Sequence, residues 1–517
     1  MNLMEHLPAL IIAIPLITAF LTPLVDRASK KARNVLVFIS LLITFILVVL
    51  LVQRVFDKGI ITYVMGASNP TETIPKQAAV PIRIVLEIDG LSAFMLLISI
   101  FISFIGLIYS FAHIKEGGGR FYTLFLLMVV GMIGMELTGD LFNLFVFLEI
   151  LSISSAALIA FEFKRATTIE AGIKYIIISS ISALFVLFAV GLFYGEYDLL
   201  NMAAIANEIG GALSHIDKIA LILLFSAFAM KAGIAPMHMW MPDAYGEAPG
   251  AISMVLIATT QASLYALLRV CFTIYNEALH VVFPIALILL GLASIFIGVT
   301  MALLQDDIKR LIAYAAVAEV GYIVLAIGAG LYGFLGGGDK FASLEMWKVA
   351  LKGGIFHIFN DVLDIGLLFL VAGGIIYVTK ERSLNKLGGL AHSMKYSSIL
   401  FLIGLAAVAG LPPMNGFASK IIIYESIYGV SPILSIVAIL ASIVMLAIFV
   451  KIFHAIFTGP KLAEHGEVPK YMLASMIVLA GLIIFFGLFP DIVLKNLVNP
   501  AVNALMEYGK YISAVMG

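Results

Sequence analysis

The sequence predicts an all-α polytopic membrane protein with about fourteen transmembrane helices. Three observations carry that prediction. Hydrophobic residues make up 62% of the 517 positions and charged residues only 12%, against roughly half and a quarter in soluble domains. An excess of that size cannot be hidden in a water-facing protein, whose surface must still be covered. Runs such as "VLVFISLLITFILVVLLV" (Val35–Val52) are long enough to cross roughly 30 Å of hydrocarbon as helix. These runs are continuous rather than alternating, which argues against a β-barrel.

In chain order, spans are expected near residues 7–25, 34–52 and 90–112, and then near 121–138, 140–161, 170–194, 217–235 and 248–275. The remainder fall near 281–304, 308–332, 345–378, 396–428, 431–457 and 470–490. The first lacks a basic flank ("MNLMEHLPAL") and reads as a retained span rather than a cleaved signal. The polar stretch Gln53–Asp89 is too short for a soluble domain. The eleventh and twelfth spans are long for one crossing, so tilt, breaks or extension into water are expected. The tail Lys495–Gly517 is mildly amphipathic and is expected at the interface.

The formal net charge of −1 gives no reason to expect a nucleic-acid partner. The single cysteine, Cys271, excludes an internal disulfide and a thiolate-ligated cluster held by this chain alone. No cofactor is expected in this chain. Lysine and arginine concentrate in alternate loops: Arg27, Lys30, Lys31 and Arg33; Lys115 and Arg120; Lys164 and Arg165; Lys309 and Arg310; Lys380, Arg382, Lys386 and Lys395. The intervening loops, such as "ELTGD" (Glu136–Asp140), are poor in them. The positive-inside rule places the basic set in the cytoplasm and both termini outside the cell membrane.

One local pattern is written twice. "AGIAPM" (Ala232–Met237) and "AGLPPM" (Ala409–Met414) interrupt the seventh and twelfth spans, an odd number of crossings apart. Two units so related have opposite orientation in the bilayer, as in inverted-repeat transporters with broken helices at membrane depth. Four regions follow: 1–112 for the first three helices, 113–275 for the first repeat, 276–457 for the second, and 458–517 for the last helix and tail.

Ionisable groups inside spans are costly and mark polar interiors, unless they snorkel from helix ends. Glu149 lies deep in "GDLFNLFVFLEILSISSAALIAF", too short a side chain to reach the surface. Lys231 precedes the first break, and would lose its proton when buried unless paired, for instance with Glu149; the alternative is an interfacial snorkelling lysine. His357, Asp361 and Asp364 in "GGIFHIFNDVLDIG" share one helical face, fitting a proton wire; a metal site would need further ligands. Lys420 follows the second break, at a different expected depth from Lys231, with Glu425 beyond it. Glu319 sits in an apolar helix as an auxiliary group. Lys174 and Lys352 read as snorkelling residues, and Arg269, His238, Asp243 and Glu247 as braces at loop ends. No catalytic residue is assigned.

Several segments together resemble a known family: "EIDGLSAFMLL", "LTGDLFNLFVFLE", "KAGIAPMHMWMPDAYGEAPG", "DDIKRLIAYAAVAEVGYI" and "GLPPMNGFASK". They are similar to the antiporter-like subunits shared by Mrp Na⁺/H⁺ antiporters, respiratory complex I and membrane-bound energy-converting hydrogenases, and "LTGDLFNLFVFLE" looks most like the Mrp D-type subunit. The likeness covers nearly the whole chain but has no counterpart to the long lateral helix of the largest complex I member. It implies two inverted five-helix repeats, a Glu149–Lys231 pair, Lys420 as the outer terminal lysine, and His357 as the first histidine of the eleventh-span pattern. That pattern commonly reads His-x-x-Asn-His-x-x-x-Lys. Here Asp361 replaces the second histidine and Ile365 the lysine, with Asp364 beside it. Gln261 stands where the eighth span often has lysine or histidine, and Glu319 where the tenth has glutamine.

The resemblance implies a proton-translocating subunit of a multisubunit complex, driven by partner Mrp subunits or by a redox arm such as an iron–sulfur or hydrogenase module. Whether an oxidoreductase or a cation/proton antiporter contains it stays open at this stage. The alternatives are a non-conducting coupling subunit and a stand-alone secondary transporter; for the latter, only Trp240 and Trp347 hint at a substrate pocket.

Overall fold

The computed structural model describes residues 3–65, 84–209, 213–338, 341, 344–460 and 465–516. Among them, twelve helices are long and apolar enough to cross a membrane. They include α1 (Leu7–Ala28), α2 (Lys30–Lys58), α3 (Gly90–His113), α4 (Gly118–Leu137), α5 (Leu141–Ile159) and α6 (Ala166–Tyr197). After the short α7 (Met202–Glu208), α8 (His215–Lys231) is the first part of an interrupted crossing, continued by α9 (Met241–Glu247). Then come α10 (Gly250–Leu268), α11 (Val282–Leu303), α12 (Ile308–Phe334) and α13 (Met346–Thr379). A second interrupted crossing consists of α14 (Lys395–Val408) and α15 (Asn415–Val430), before α16 (Pro432–Phe453) and α17 (Lys470–Leu488). The expected fourteen spans thus appear as twelve long helices and two broken ones, and the long eleventh span is one 34-residue helix.

Both breaks have the same construction. Gly233 and Gly410 adopt φ of +69° and +72°, a left-handed conformation that glycine takes without a Cβ clash. Each break also contains a cis X-Pro bond, at Ala235–Pro236 and Pro412–Pro413. Backbone groups freed at membrane depth need new partners. Met230 O accepts from Trp240 Nε1 at 2.9 Å, and Ala235 N donates to Ser294 Oγ at 2.9 Å. Val408 O accepts from the ammonium of Lys420 at 2.6 Å.

Helices α10 and α12 are buried along their whole apolar length, whereas α1, α16 and α17 are only about one-third buried. The outer helices instead present residues such as Phe20, Ile433 and Ile477 outward. This inversion, apolar outside and polar groups in the central helices, is what lipid as solvent demands. The basic loops meet at one end. Arg33 pairs with Asp26 at 2.6 Å beside Gly119, Arg165 and Arg382 share Glu247 at 3.1 and 2.8 Å, and Arg310 and Lys174 share Asp243 at 3.1 and 2.7 Å. Asp243 and Glu247 therefore brace loops as their sequence positions imply, and Lys174 is an exposed ion-paired residue.

At the opposite end the structure adds a feature absent from the all-helical expectation. Strands β1 (Ile61–Val64) and β2 (Val85–Ile88) form an antiparallel pair, Ile61 opposite Ile88. Residues 66–83 of the intervening polar stretch lie outside the described residues. The C-terminal helices α18 (Pro490–Val493), α19 (Asn499–Met506) and α20 (Tyr508–Met516) dock on this end, burying Leu505, Tyr511 and Val515. The tail is thus packed against protein; Gly90 meets Pro500 so closely that a Cβ would lie 2.4 Å from its carbonyl oxygen.

Candidate functional site

Six of the ionisable residues singled out above, Lys231, Glu319, His357, Asp361, Asp364 and Lys420, are each at most 4% exposed. They fall into two clusters, each set by a broken helix.

The first surrounds Lys231 at the end of α8. Its ammonium donates to Ser152 Oγ at 3.0 Å on α5, and to Tyr175 Oη at 3.1 Å and Ser179 Oγ at 3.0 Å on α6. It also lies 4.7 Å from the Tyr175 ring centroid. An ammonium has three protons and no acceptor, so this cage satisfies it completely. The expected Glu149–Lys231 ion pair is not formed among the described residues. Glu149 is half-buried on α5. Ser152, one turn after Glu149 on the same helix, supplies the oxygen that Lys231 meets instead.

The second cluster is charged. Glu319 on α12 lies between a lysine and a histidine, with Oε1 2.9 Å from Lys420 Nζ on α15 and Oε2 2.9 Å from His357 Nε2 on α13. The other imidazole nitrogen, Nδ1, is 2.9 Å from Ser419 Oγ. Asn360 donates to Ser419 Oγ at 2.8 Å and to Asn415 O at 3.0 Å, and Asn415 Nδ2 returns a bond to Asn360 Oδ1 at 3.0 Å. Lys420 is further held by Ser442 Oγ at 3.3 Å and sits 4.5 Å from the Tyr322 ring centroid.

Asp361 accepts from Gln261 Nε2 of α10 at 2.6 Å. Asp364 is pressed against the start of α15. A Cβ at Gly416 would lie 2.9 Å from Asp364 Oδ2 and 2.1 Å from Ala407 O, so glycine is required for this approach. Asp361 Oδ1, Asp364 Oδ1 and Gln261 Oε1 have no hydrogen-bond partner among the described residues. His357, Asp361 and Asp364 thus share a face, yet they contact different helices rather than converging on one point. Glu425 is exposed. Among the described residues, no direct hydrogen bond joins the Lys231 cage to Gln261 or Asp361.

Lys231 and Lys420 stand on opposite sides of their breaks in the chain. Lys420 reaches back to the carbonyl of Val408, the residue immediately before "AGLPPM", just as Lys231 immediately precedes "AGIAPM". Their partners also correspond: Ser152 follows its helix cap Asp140, and Glu319 its cap Asp307, at the same spacing.

Other buried ionisable groups went unread in the sequence. Glu136, at the end of α4 rather than in a loop, is fully buried and accepts from Ser99 Oγ at 2.6 Å. Arg269, read as a brace, is 1% exposed and donates from Nη1 to Asp89 Oδ2 at 2.7 Å, with Tyr511 4.7 Å away. Fully buried Glu87 lies beside it, raised well above the ordinary carboxylate range by burial, with Arg269 opposing. The caps Asp89 and Asp140, which open α3 and α5 directly before apolar runs, were the available signal.

The family model described as NADH:quinone oxidoreductase/Mrp antiporter, TM matches residues 138–446, which include both clusters. The chain belongs to this family. Over 522 residues it is 30% identical to the NADH-quinone oxidoreductase subunit N of Desulforudis audaxviator, spanning 96% of this chain and 98% of the relative. It is equally 30% identical to the D-type Na(+)/H(+) antiporter subunit of Bacillus subtilis, over 90% of each. A chain of the membrane-bound sulfane sulfur reductase (MBS), an archaeal respiratory membrane complex, superposes with a TM-score of 0.86 at 29% identity, covering 99% of this chain and 100% of that one. This protein is an antiporter-like membrane subunit of the Mrp, complex I-like and MBS group.

Proposed function

We propose that this subunit translocates protons across a cell membrane as part of a larger complex. The observation that carries the reading is the buried Lys420–Glu319–His357 cluster, continued along α13 toward Asp361 and Gln261. Holding so many titratable groups in apolar surroundings is expensive, and packing alone would be served better by hydrophobic residues. A shared carboxylate between a lysine and a histidine can pass a proton by small changes in which partner it holds. The unpartnered oxygens of Asp361 and Asp364 supply acceptors at the pattern's second histidine and beside its lysine position, here Ile365.

In this scheme protons enter from the cytoplasm near Glu149 and Lys231. They cross by Gln261, Asp361, Asp364 and the His357–Glu319 pair, bridged by water between the two clusters, and leave from Lys420 to the outside. Both termini lie outside and the basic loops inside. The D-type Mrp assignment is our finer reading; the N-type oxidoreductase relative stands at equal identity. The driving force comes from companion membrane subunits, with either sodium exchange or a peripheral iron–sulfur arm as the coupled process.

The test is proton pumping by the assembled complex in sealed vesicles. Lys231→Ala and Glu149→Ala each abolish pumping if the reading holds, while assembly is retained. Unchanged pumping with intact assembly rejects conduction and leaves a coupling scaffold. Identifying the chains that copurify with the native protein distinguishes a redox complex from an antiporter.

A further inference from the structure

The basic end of the molecule carries a cleft of about 960 Å³ that the proton route does not use. It lies where the end of α3, the start of α4, the α5–α6 turn and the end of α13 meet. Some of its charges are committed: Arg165 and Arg382 engage Glu247, and Glu162 engages Arg165 at 3.7 Å. Lys115, Arg120, Lys164 and Lys380 are not, having no carboxylate at ion-pair distance among the described residues. Lys115 and Lys380 lie over the same ring, 5.3 and 4.7 Å from the Tyr377 centroid. Against these four cations the rim offers one further carboxylate, Glu116. Like charges gathered on one rim repel, and an anion between them relieves that cost.

The inner wall has the opposite character. Leu124 and Ala157 belong to the membrane helices α4 and α5, and with Phe161 and Ile376 they continue the cleft as an apolar surface. Phe163 at the mouth is 60% exposed, an aromatic at the level where side chains meet lipid headgroups. A small free anion would use the rim and leave the wall unused. We propose that this cleft binds the phosphate headgroup of an anionic phospholipid, with an acyl chain along Leu124 and Ala157. Basic pockets between transmembrane helices recognise such headgroups through the same physics.

The experiment uses the purified native complex in nanodiscs that carry diazirine-chain phosphatidylglycerol or diazirine-chain phosphatidylcholine, with cross-links mapped by mass spectrometry. Phosphatidylglycerol should label the peptides containing Leu124 and Ala157 well above phosphatidylcholine. Arg120→Gln and Lys164→Gln should each cut that labelling about fivefold at low salt, with labelling of the outward face of α16 unchanged. Lys164→Arg, which keeps the charge, should retain it. Equal labelling by both lipids, indifference to the glutamine substitutions, or loss in Lys164→Arg would overturn the proposal. Clearance of the label by inorganic phosphate would assign the rim to a free anion, and cross-links to a companion chain at the same peptides would assign it to a protein; either result rejects the lipid.

Discussion

Glu319 Oε1 lies 2.9 Å from Lys420 Nζ, joining α12 to the helix that restarts after the second break, and both residues are almost completely buried. Removing one member strands the other charge in a low-dielectric interior, at a cost of about 3–5 kcal/mol. Lys420→Met should therefore lower the thermal stability of the purified complex markedly, and Glu319→Gln somewhat less, because the amide still accepts one hydrogen bond. The double variant should recover part of the loss, and pumping should fail in all three. Additive destabilisation would show that the two side chains do not act as a pair.

The Lys231 cage leads to a different expectation. Its three partners are hydroxyls, each worth about 1.5–3 kcal/mol to a charged donor. Ser152→Ala should slow pumping while assembly persists. Ser152→Glu should place a carboxylate where Glu319 stands relative to Lys420, fix the lysine as a permanent ion pair and arrest transport. Vesicle pumping and assembly, measured together, check both; faster pumping in Ser152→Glu would refute the correspondence.

Asp361 and Asp364 can be told apart by what surrounds them. Asp361→Asn retains an acceptor for Gln261 but cannot titrate, so pumping should be lost with little change in stability. At Asp364 the matching probe is the facing glycine. Gly416→Ala forces a methyl toward Ala407 O and Asp364, and overpacking of this kind costs about 1–3 kcal/mol. Its signature is a lower melting temperature of the complex, alongside slower pumping.

A pH effect is expected at the hairpin end. Burial raises the folded-state pKa of Glu87 well above the ordinary carboxylate range, so the folded protein binds a proton that the unfolded chain has already released. Its contribution is fully present below the ordinary carboxylate pKa and is lost as pH climbs toward the folded value. Melting temperature should fall over that interval, and Glu87→Gln should flatten the fall. A profile identical in wild type and Glu87→Gln would exclude Glu87 as the titrating group.

The spans were legible because lipid imposes a length and a composition on each helix separately, and both are local properties. The breaks at Gly233 and Gly410 were legible for the same reason. Partnerships were harder. Glu319 could be seen as a buried carboxylate, but its place between Lys420 and His357 depends on how α12, α13 and α15 cross, which no periodicity encodes. The Lys231 cage was hidden by its chemistry: serine and tyrosine are common in membrane helices and attract notice only when three meet one ammonium. Asp89 and Glu87 were read as part of a polar loop because their burial comes from a hairpin and a tail far away in sequence.

The two lysines show what the repeated break preserves. One stands on the residue just before the break, and the other, six residues after it, returns its ammonium to the carbonyl of the residue just before. Each break therefore has a lysine tied to the position that precedes it, by side-chain reach in one half and by chain position in the other. Comparison of the halves by aligned columns sets Lys231 against Val408 and passes over Lys420. Substitutions in this protein are therefore best designed as transplants: Lys420→Ala combined with Val408→Lys asks whether the machine needs that residue or only its charge at that point.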